Sequence, residues 1–249
     1  GGGSPAAFER FKPAMEALLA FWDRPPRLDP ATGLRTWHDQ MESGADNCVL
    51  SRCPNARSPC WTDSQAYTLA SADVITLLTR EHIAFALFSE SWAAAAERSE
   101  PQLAAAHRLA AAEHRATADS LAATLNARLW REDLGYHQAW NVSARSSIES
   151  RTYVIGFPLW AGLVNQSQAA KIAATLSRPD MLSSDGLRST SSDDPRYSNA
   201  NEIVPYSNCE SEQLSETFPL HSDRSDLSAL CLWSRPIARH VALGLTIAW

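Results

Sequence analysis

Eleven residues, 37–47, bring together side chains that could transfer a proton. They read WHDQMESGADN, with three acids, one histidine and one tryptophan, and Gly44 stands two positions before Asp46. A carboxyl group with a raised pKa can act as a general acid when it lies beside the bond that breaks. Aspartate and asparagine are also common residues of polar turns. From these residues alone, Asp46 is either a catalytic acid or a turn residue.

Cysteine and histidine residues elsewhere in the sequence form no recognisable metal or nucleophile motif. The spacing of Cys48, Cys53 and Cys60 is C-x4-C-x6-C, whereas zinc sites usually contain more closely spaced pairs. His107 and His114 lie seven positions apart, and a helical two-histidine motif needs i and i+4. The sequence contains neither a G-x-S-x-G elbow nor a phosphate-binding glycine loop. We therefore expect no metal and no cofactor, and we expect both histidines to pack in the core or at its rim.

The composition is that of an acidic globular protein. The chain has 249 residues, 45% of them hydrophobic, and a formal net charge of −6. Nucleic acids and anionic membranes attract clustered Lys and Arg, so we expect neither as a partner. No apolar run approaches the roughly 20 residues that span a bilayer. An odd number of cysteines favours reduced thiols, and no signal peptide is visible. We therefore expect a cytoplasmic location.

Two long amphipathic helices give the strongest periodic signal. Apolar residues recur every three or four positions over 67–92, after a capping box at 62–65. A second stripe covers 103–129 and follows a proline at the start of the helix. Because the connection between the two stripes is short, they predict an antiparallel helical hairpin.

Shorter elements are predicted around this hairpin from apolar periodicity and from breaker residues. They are an N-terminal helix at 8–22, a turn at 133–136, an arm of a small hairpin at 136–142, a helix at 153–164 interrupted by Pro158, and a helix at 166–176. The polar segment 181–203 is expected to be a long loop, which in a compact domain is usually functional or disordered.

The pattern as a whole predicts a nearly all-α chain of long helices in hairpin pairs. Three architectures fit this pattern: a helical bundle, a superhelical repeat array and an arc of a helical toroid. No repeat with a fixed period of about 34–45 residues is visible, which weakens the repeat-array interpretation.

Four motifs, in the expected order, resemble those of glycoside hydrolase family 63 and its toroidal relatives. TWHDQMESGADN is similar to the signature W…ESG.DNS, and ASADVITLLTREHIAFALFSESW is similar to the long helix that follows it. ARLWREDLGYHQAW resembles the R.W….G.Y.D turn, and the stretch from GFPLWAGLV to IVPYSN resembles the late segment that ends in PYSNW. The similarity covers roughly residues 30–208. The wording DQMESG.DN leans towards the mannosylglycerate/glucosylglycerate hydrolase branch.

The resemblance implies a fold and a domain division. The fold is an incomplete (α/α)6 toroid built of long helical hairpins, in which loops at the ends of inner helices reach a central pocket. It would occupy residues 1–208 as a partial glycosidase domain. Residues 209–249 would form a divergent tail, because the similarity stops at Cys209.

The resemblance also implies roles for individual residues. Asp46 would be the general acid, and Gly44 would let the backbone come close to the sugar. Arg80, on the long helix, would lie buried beside the acid and bind sugar hydroxyls or a carboxylate. The alternative for Arg80 is an exposed helical arginine paired with an acid. The implied substrate-binding residues are Trp37, Gln40, Met41, Gly44, Arg80 and Tyr206.

Departures from the family pattern bear on activity. The family's general base is a glutamate that falls at or past the end of this sequence, and an inverting glycosidase needs this second carboxylate about 6.5–9.5 Å from the acid to activate water. Hydrolysis by this chain is therefore expected to be slow. Met41 stands where the family often has tryptophan, and the aromatic residues that usually line the pocket from the start of the domain would fall before Gly1.

Three functions remain open at this point. The first is an inverting α-glycoside hydrolase, or part of one, that acts on a small glycosyl-glycerate compatible solute such as mannosylglycerate or glucosylglycerate. The second is a catalytically inactive helical scaffold that exposes a large apolar face to a peptide or another subunit. The third is a trehalase-like toroidal glycosidase. The expected partner of an enzyme is a small carbohydrate, and exposed helix faces could join copies into a homo-oligomer.

Overall fold

The structure is a computed structural model that describes residues 5–38, 40–43, 67–195 and 197, with the backbone alone at 5–8, 40 and 41. The helices of these ranges are α1 (Pro5–Trp22), α2 (Gln40–Ser43), α3 (Ala72–Ala96), α4 (Pro101–Leu129), α5 (Phe157–Trp160) and α6 (Gln166–Leu176), and a 3-10 turn covers Tyr153–Gly156. The strands are β1 (Leu69–Ala70), β2 (Trp130–Arg131), β3 (Tyr136–His137), β4 (Ala139–Asn141), β5 (Ser146–Ile148), β6 (Leu182–Ser183) and β7 (Gly186–Leu187).

The α3–α4 hairpin is the largest part of the fold, and its prediction is confirmed. Glu90 on α3 accepts two hydrogen bonds from Arg115 on α4, at 2.6 and 2.8 Å, and Glu97 pairs with Arg108 nearer the connection. These cross-links show that the two helices run antiparallel. α4 begins at Pro101, where the missing N–H removes no helical hydrogen bond because first-turn N–H groups have no helical acceptor.

The start of α3 differs from the prediction. The helix begins at Ala72 rather than at Tyr67, which has a φ of 60°. A residue in the left-handed region does not continue a right-handed helix, and β1 pairs instead with β4 in antiparallel register. The capping box predicted at 62–65 lies outside the described residues, and Ser71 occupies the N-cap position.

The main hydrophobic core lies along the seam between α3 and α4 and continues under the N-terminal end of α3. Phe85 and Leu125 are completely buried in this seam, and α1 joins it through Leu19. Burial of each such side chain stabilises the fold by about 1.5–3 kcal/mol. The predicted N-terminal helix is confirmed as α1, and the core fixes its position relative to α3.

Small antiparallel sheets follow α4. The predicted turn at 133–136 and the predicted hairpin arm at 136–142 are both confirmed, since β3 pairs with β2 and β4 pairs with both β1 and β5. Gly135 has a φ of 76°, and a Cβ at this position would lie 3.2 Å from Cβ of Lys171. The tight turn therefore requires glycine for both conformation and space.

The helix predicted at 153–164 is wrong in extent, whereas the helix predicted at 166–176 is confirmed. The first segment is a 3-10 turn followed by the single turn of α5, and Gly162 then takes a φ of 71°. α6 begins with a capping box, in which Asn165 accepts the N–H of Gln168 at 2.9 Å and the Gln168 side chain accepts the N–H of Asn165 at 3.0 Å. Reciprocal capping explains why this boundary could be predicted locally.

The polar segment predicted as a long loop is partly regular. It contains the β6–β7 hairpin, and buried Asp180, just before it, accepts hydrogen bonds from Ser191 at 2.5 Å, Arg151 at 2.7 Å and Arg178 at 2.8 Å. Burial opposes ionisation, but these donors outweigh it and hold the pKa of Asp180 far below its ordinary value. Asp180 therefore joins Ser191, in the predicted loop, to Arg151, in the stretch before the 3-10 turn. Residue 196 and residues 198–203 lie outside the described residues.

The described part of the chain is predominantly helical and centred on one long helical hairpin, as predicted. None of its helices is both long enough and apolar enough to cross a bilayer. The predicted tail, 209–249, lies outside the described residues, so the domain division at 208 stays a prediction.

Candidate active site

The two flanks of segment 44–66 are held together at the N-terminal end of α3. Tyr67 donates its backbone N–H to the carbonyl of His38 at 3.1 Å, and Trp37 donates its backbone N–H to the carbonyl of Leu69 at 3.1 Å. The rings of His38 and Tyr67 meet edge to face with centroids 4.7 Å apart. Residues 44–66 lie outside the described residues, but His38 and Tyr67, on either side of them, are held together by this hydrogen bond and ring contact.

Trp37 is the first anchor of this region. Its side chain is buried, with 8% of its surface exposed, and its indole N–H lies 3.3 Å from Oδ1 of Asp73. The same carboxylate oxygen accepts the hydroxyl of Ser71 and the backbone N–H of Val74, the latter at 2.8 Å. Burial raises the pKa of Asp73, and these hydrogen bonds partly offset the effect. Trp37 also packs edge-on against Trp22, with ring centroids 5.4 Å apart.

Arg27 is the second anchor. It is buried, with 7% of its surface exposed, and it donates two hydrogen bonds to the carboxylate of Glu42, at 2.7 and 2.6 Å. Its guanidinium carbon lies 4.2 Å from the ring centre of Phe21 and 4.4 Å from that of Trp22. Glu42 also accepts the backbone N–H of His38 at 2.7 Å. Glu42, which lies just before Ser43, is thus bonded both to the side chain of Arg27 and to the backbone of His38.

Several predicted site residues cannot be compared with their expected positions. Gly44, Asp46 and Tyr206 lie outside the described residues. Gln40 and Met41 lie in α2, where the backbone alone is described. Their assignment to a sugar site stays a prediction.

Arg80 lies on the same face of α3 as Asp73 but farther along the helix. The two are seven residues apart, which is close to two full turns, or about 10 Å along the axis. Arg80 is exposed, and its guanidinium carbon lies 5.6 Å from the ring centre of Trp160. Of the two alternatives for Arg80, the buried one is therefore wrong, because Arg80 lies on the solvent-facing side of α3, and an indole, itself exposed, lies against its side chain.

The histidines of the hairpin pack as expected. His107 is buried, and its Nε2 lies 3.0 Å from a carboxylate oxygen of Glu9. Nδ1 of His114 lies 2.8 Å from Nδ1 of His82, and its ring centre lies 4.1 Å from that of Phe85. Burial, together with the neighbouring His114, lowers the pKa of His82 to about 4. These residues belong to the helix seam rather than to the candidate site.

Cys48, Cys53 and Cys60 lie outside the described residues. Within the ranges that the structure describes, no three His, Cys, Asp or Glu side chains are grouped as a metal ion would require.

Sequence reasoning missed three residues that shape this region: Arg27, Asp73 and Trp160. Arg27 pairs with a residue fifteen positions away, and Asp73 binds an indole thirty-six positions away. No local pattern signals contacts of this length. An acid in the first turn of a helix is the one cue for Asp73, and it indicates stabilisation of the helix rather than a partner.

The arrangement suits recognition of a polar ligand along one face of α3. An exposed guanidinium can bind a carboxylate through two parallel hydrogen bonds, and an exposed indole offers a flat apolar surface beside it. Two helical turns towards the N-terminus of α3 lies Asp73, which contacts the indole of Trp37 beside the flanks of 44–66.

Comparisons with known proteins give one family and several structural relatives. The sequence model of the family described as mannosylglycerate hydrolase MGH1-like glycoside hydrolase domain matches residues 2–210. No curated protein matches the chain significantly in sequence. Neutral trehalase Nth1 from Saccharomyces cerevisiae has a similar structure, with a TM-score of 0.50 and 18% identity over 76% of this chain and 42% of that chain.

Two further solved structures are similar. A GH63 mannosylglycerate hydrolase from Thermus thermophilus, in complex with glucose, gives a TM-score of 0.51 and 19% identity over 78% of this chain and 54% of that chain. A sialidase structure gives a TM-score of 0.57 and 13% identity over 77% of this chain and 15% of that chain.

These relatives settle the fold class. The chain spans 42% and 54% of the length of the trehalase and the GH63 enzyme, and both are (α/α)6-toroid glycosidases. The predicted fold, an incomplete (α/α)6 toroid, is therefore confirmed. The family match extends over most of the sequence and includes both flanks of 44–66 and the exposed arginine of α3. The chain therefore belongs to the MGH1-like glycoside hydrolase family.

Proposed function

We propose that this chain carries the acid-bearing part of the active site of an inverting α-glycoside hydrolase. The proposed substrate is a small glycosyl-glycerate, mannosylglycerate or glucosylglycerate. Asp46 is the proposed general acid, and Arg80 is the proposed ligand of the substrate's carboxylate or hydroxyl groups. The other residues proposed to line the site are Trp37, Gln40, Met41, Gly44 and Tyr206. Family membership supports the reaction class, and the DQMESG.DN stretch supports the substrate class.

One geometric observation carries the proposal. The flanks of 44–66 are held together beside the N-terminal end of α3, where the indole of Trp37 contacts Asp73. Arg80 is exposed on the same face of α3 as Asp73, about 10 Å along the helix axis. An acid in the anchored segment and a cation on the helix can then contact opposite ends of one small ligand. A sugar joined to a three-carbon acid is a ligand of this kind.

The proposed reaction begins with protonation of the glycosidic oxygen. An alkoxide is a poor leaving group, so Asp46 donates its proton as the bond between the anomeric carbon and that oxygen breaks. Water attacks the anomeric carbon from the opposite face, and a second carboxylate must accept the proton of that water. No residue of this chain is proposed for the second carboxylate.

Leaving-group dependence tests the role of Asp46 without requiring the base. The wild-type chain and Asp46→Asn are compared on mannosylglycerate, glucosylglycerate and 4-nitrophenyl α-mannoside, with azide as the nucleophile. Azide attacks the anomeric carbon, the leaving oxygen takes the Asp46 proton, and a glycosyl azide of inverted configuration forms. We expect Asp46→Asn to slow this reaction by about 100-fold or more on the glycerate glycosides. The nitrophenyl glycoside should be slowed far less, because nitrophenolate leaves without protonation.

Asp133→Asn is the matched control, because Asp133 is an exposed turn aspartate that pairs with Arg131 at 2.9 Å. Its rates should equal those of the wild-type chain. Equal rates for Asp46→Asn and wild type on the glycerate glycosides would remove Asp46 from the mechanism. Failure of the wild-type chain on both glycerate glycosides, with reaction on the nitrophenyl compound, would exclude the proposed substrate class.

The two other hypotheses give different results in the same assay. When trehalose is added to the substrate set, a trehalase-like enzyme, which the structural similarity to neutral trehalase supports, would use it in preference to either glycerate glycoside. A catalytically inactive scaffold would form no glycosyl azide from any substrate. The observation that favours a scaffold is the outward-facing apolar side of α1, where Phe11, Leu18 and Phe21 are exposed.

A further inference from the structure

Trp160 is the most exposed aromatic side chain in the described part of the structure, with 63% of its surface accessible. It lies at the C-terminal end of α5, next to the middle of α3. An indole left in water forgoes the stabilisation that burial would give. Packing in the core therefore does not explain why a tryptophan occupies position 160. The contact of its ring with Arg80 offers another reason.

The backbone that carries Trp160 is firmly held. Val154, Ile155 and Pro158, in and just before α5, are buried, and the ring of Phe157 meets the indole edge-on with centroids 6.2 Å apart. The indole is thus presented from a fixed support rather than from a long loop.

The geometry of the pair determines what Arg80 can still bind. Its guanidinium carbon lies over the indole face at 5.6 Å, within the range of a cation–π contact. A cation–π contact is not a hydrogen bond, so it leaves the N–H donors of the guanidinium available to oxygen ligands. An arginine side chain has many rotamers, so a neighbour that restricts them lowers the entropy cost of ligand binding.

We propose that Trp160 is a positioning residue that holds the Arg80 guanidinium ready for the carboxylate of the substrate and thereby favours anionic over neutral aglycones. The inference rests on the proposed function and adds to it the residue that sets this preference. Trp160 does not take part in proton transfer. Its effect is on affinity for the charged end of the ligand.

The test combines a pair of ligands with a measurement that needs no ligand. Calorimetry gives the Kd of mannosylglycerate and of the corresponding mannosylglycerol, in which CH2OH replaces the carboxylate. NMR records the Arg80 Nε–H resonance, which the ring current of a nearby indole face shifts. The variants are Trp160→Ala, Trp160→Phe, which keeps an aromatic ring, and Leu109→Ala, a control that removes a side chain of equal exposure, 63%, from α4.

We expect Trp160→Ala to weaken mannosylglycerate binding about three- to tenfold, in line with an exposed cation–π contact. Binding of mannosylglycerol should not change, and the shift of the Arg80 resonance should disappear. Trp160→Phe should retain most of the affinity and of the shift, and Leu109→Ala should behave as wild type. Because Trp160 is exposed, thermal melting should show that all variants fold.

Other outcomes would contradict the role of Trp160, its contact with Arg80 or the proposed function. Unchanged mannosylglycerate binding in Trp160→Ala, or equal losses for both ligands, would refute the role of Trp160 and leave the proposed function intact. An unshifted Arg80 resonance in the wild-type chain would refute the contact between Arg80 and Trp160 itself. If the wild-type chain bound neither ligand, the proposed function would fail, and the specificity role of Trp160 would fail with it.

Discussion

Arg27 links three aromatic rings to Glu42, which lies two residues before Gly44. Its guanidinium stacks near Phe21, Trp22 and Tyr67 and makes a two-point contact with Glu42. A buried guanidinium is costly unless its donors and charge are satisfied. The pair therefore holds Glu42, which directly precedes Ser43, in one position.

Removal of the Glu42 charge should destabilise the fold measurably. Glu42→Gln keeps the side-chain size but leaves the Arg27 charge without a counterion, and we expect a loss of about 1–3 kcal/mol in the free energy of unfolding. Urea denaturation provides the measurement. Glu97→Gln is the matched control, because its pair with Arg108 is exposed on both sides and should contribute less than about 1 kcal/mol. Equal effects of the two substitutions would show that Arg27 is not held as described.

At the residue scale, the site roles assigned from the motifs stay predictions, and contacts between distant residues could not be predicted. The motif order located the region around Trp37 and the helix of Arg80. It could not indicate that Arg80 is exposed, because exposure depends on which elements pack against α3. The Arg27–Glu42 pair was also invisible, since its partners are separated by a turn and an irregular stretch.

At the scale of elements, the α3–α4 hairpin carries titratable groups in its seam and at its end. Burial and His114 lower the pKa of His82 to about 4, and burial alone lowers that of His137, just after α4, to about 4. The ordinary histidine pKa is near 6.5. Between these values the unfolded chain binds protons that the folded chain does not. Stability therefore falls as the pH drops from about 6.5 towards 4.

The hairpin should accordingly melt at a lower temperature in mild acid. We expect a Tm that is nearly constant above pH 7 and declines progressively between pH 6.5 and pH 4, measured by circular dichroism. His82→Asn removes one titrating group and should make the decline shallower, whatever its Tm at neutral pH. A decline of unchanged steepness in His82→Asn would show that His82 is not kept neutral by the fold.

Element boundaries could be predicted where they are set locally. The start of α6 follows from a capping box within its own first turn, and Pro179 lies just beyond its end. The start of α3 and the length of α5 could not be predicted in this way, because β1 pairs with a strand about seventy residues later and a left-handed glycine follows α5. Local helix periodicity is overridden at both positions, by long-range pairing at the first and by backbone conformation at the second.

At the scale of the whole molecule, the chain is one part of a toroid-type architecture. It spans about half the length of the GH63 enzyme that it resembles, and α1 presents Phe11, Leu18 and Phe21 outward. Helices of such folds bury an apolar stripe against neighbouring helices. A second copy of this chain could cover the stripe of α1, which is the proposed basis of homo-oligomerisation.

The sequence alone predicted the fold class and family because four ordered motifs extend over most of the matched range. It did not determine the sugar, since recognition of a sugar depends on side chains from several elements converging on one pocket. The expected cytoplasmic location and the tail beginning at 209 stay predictions for the same reason: each depends on more than local sequence.

A crystal structure of the chain with bound mannosylglycerate would show whether Asp46 and Arg80 contact the two ends of the ligand. We expect a carboxyl oxygen of Asp46 within about 2.6–3.2 Å of the glycosidic oxygen, with the ligand's carboxylate on the guanidinium of Arg80. A ligand bound away from the exposed face of α3, or an Asp46 side chain turned away from the ligand, would contradict this expectation.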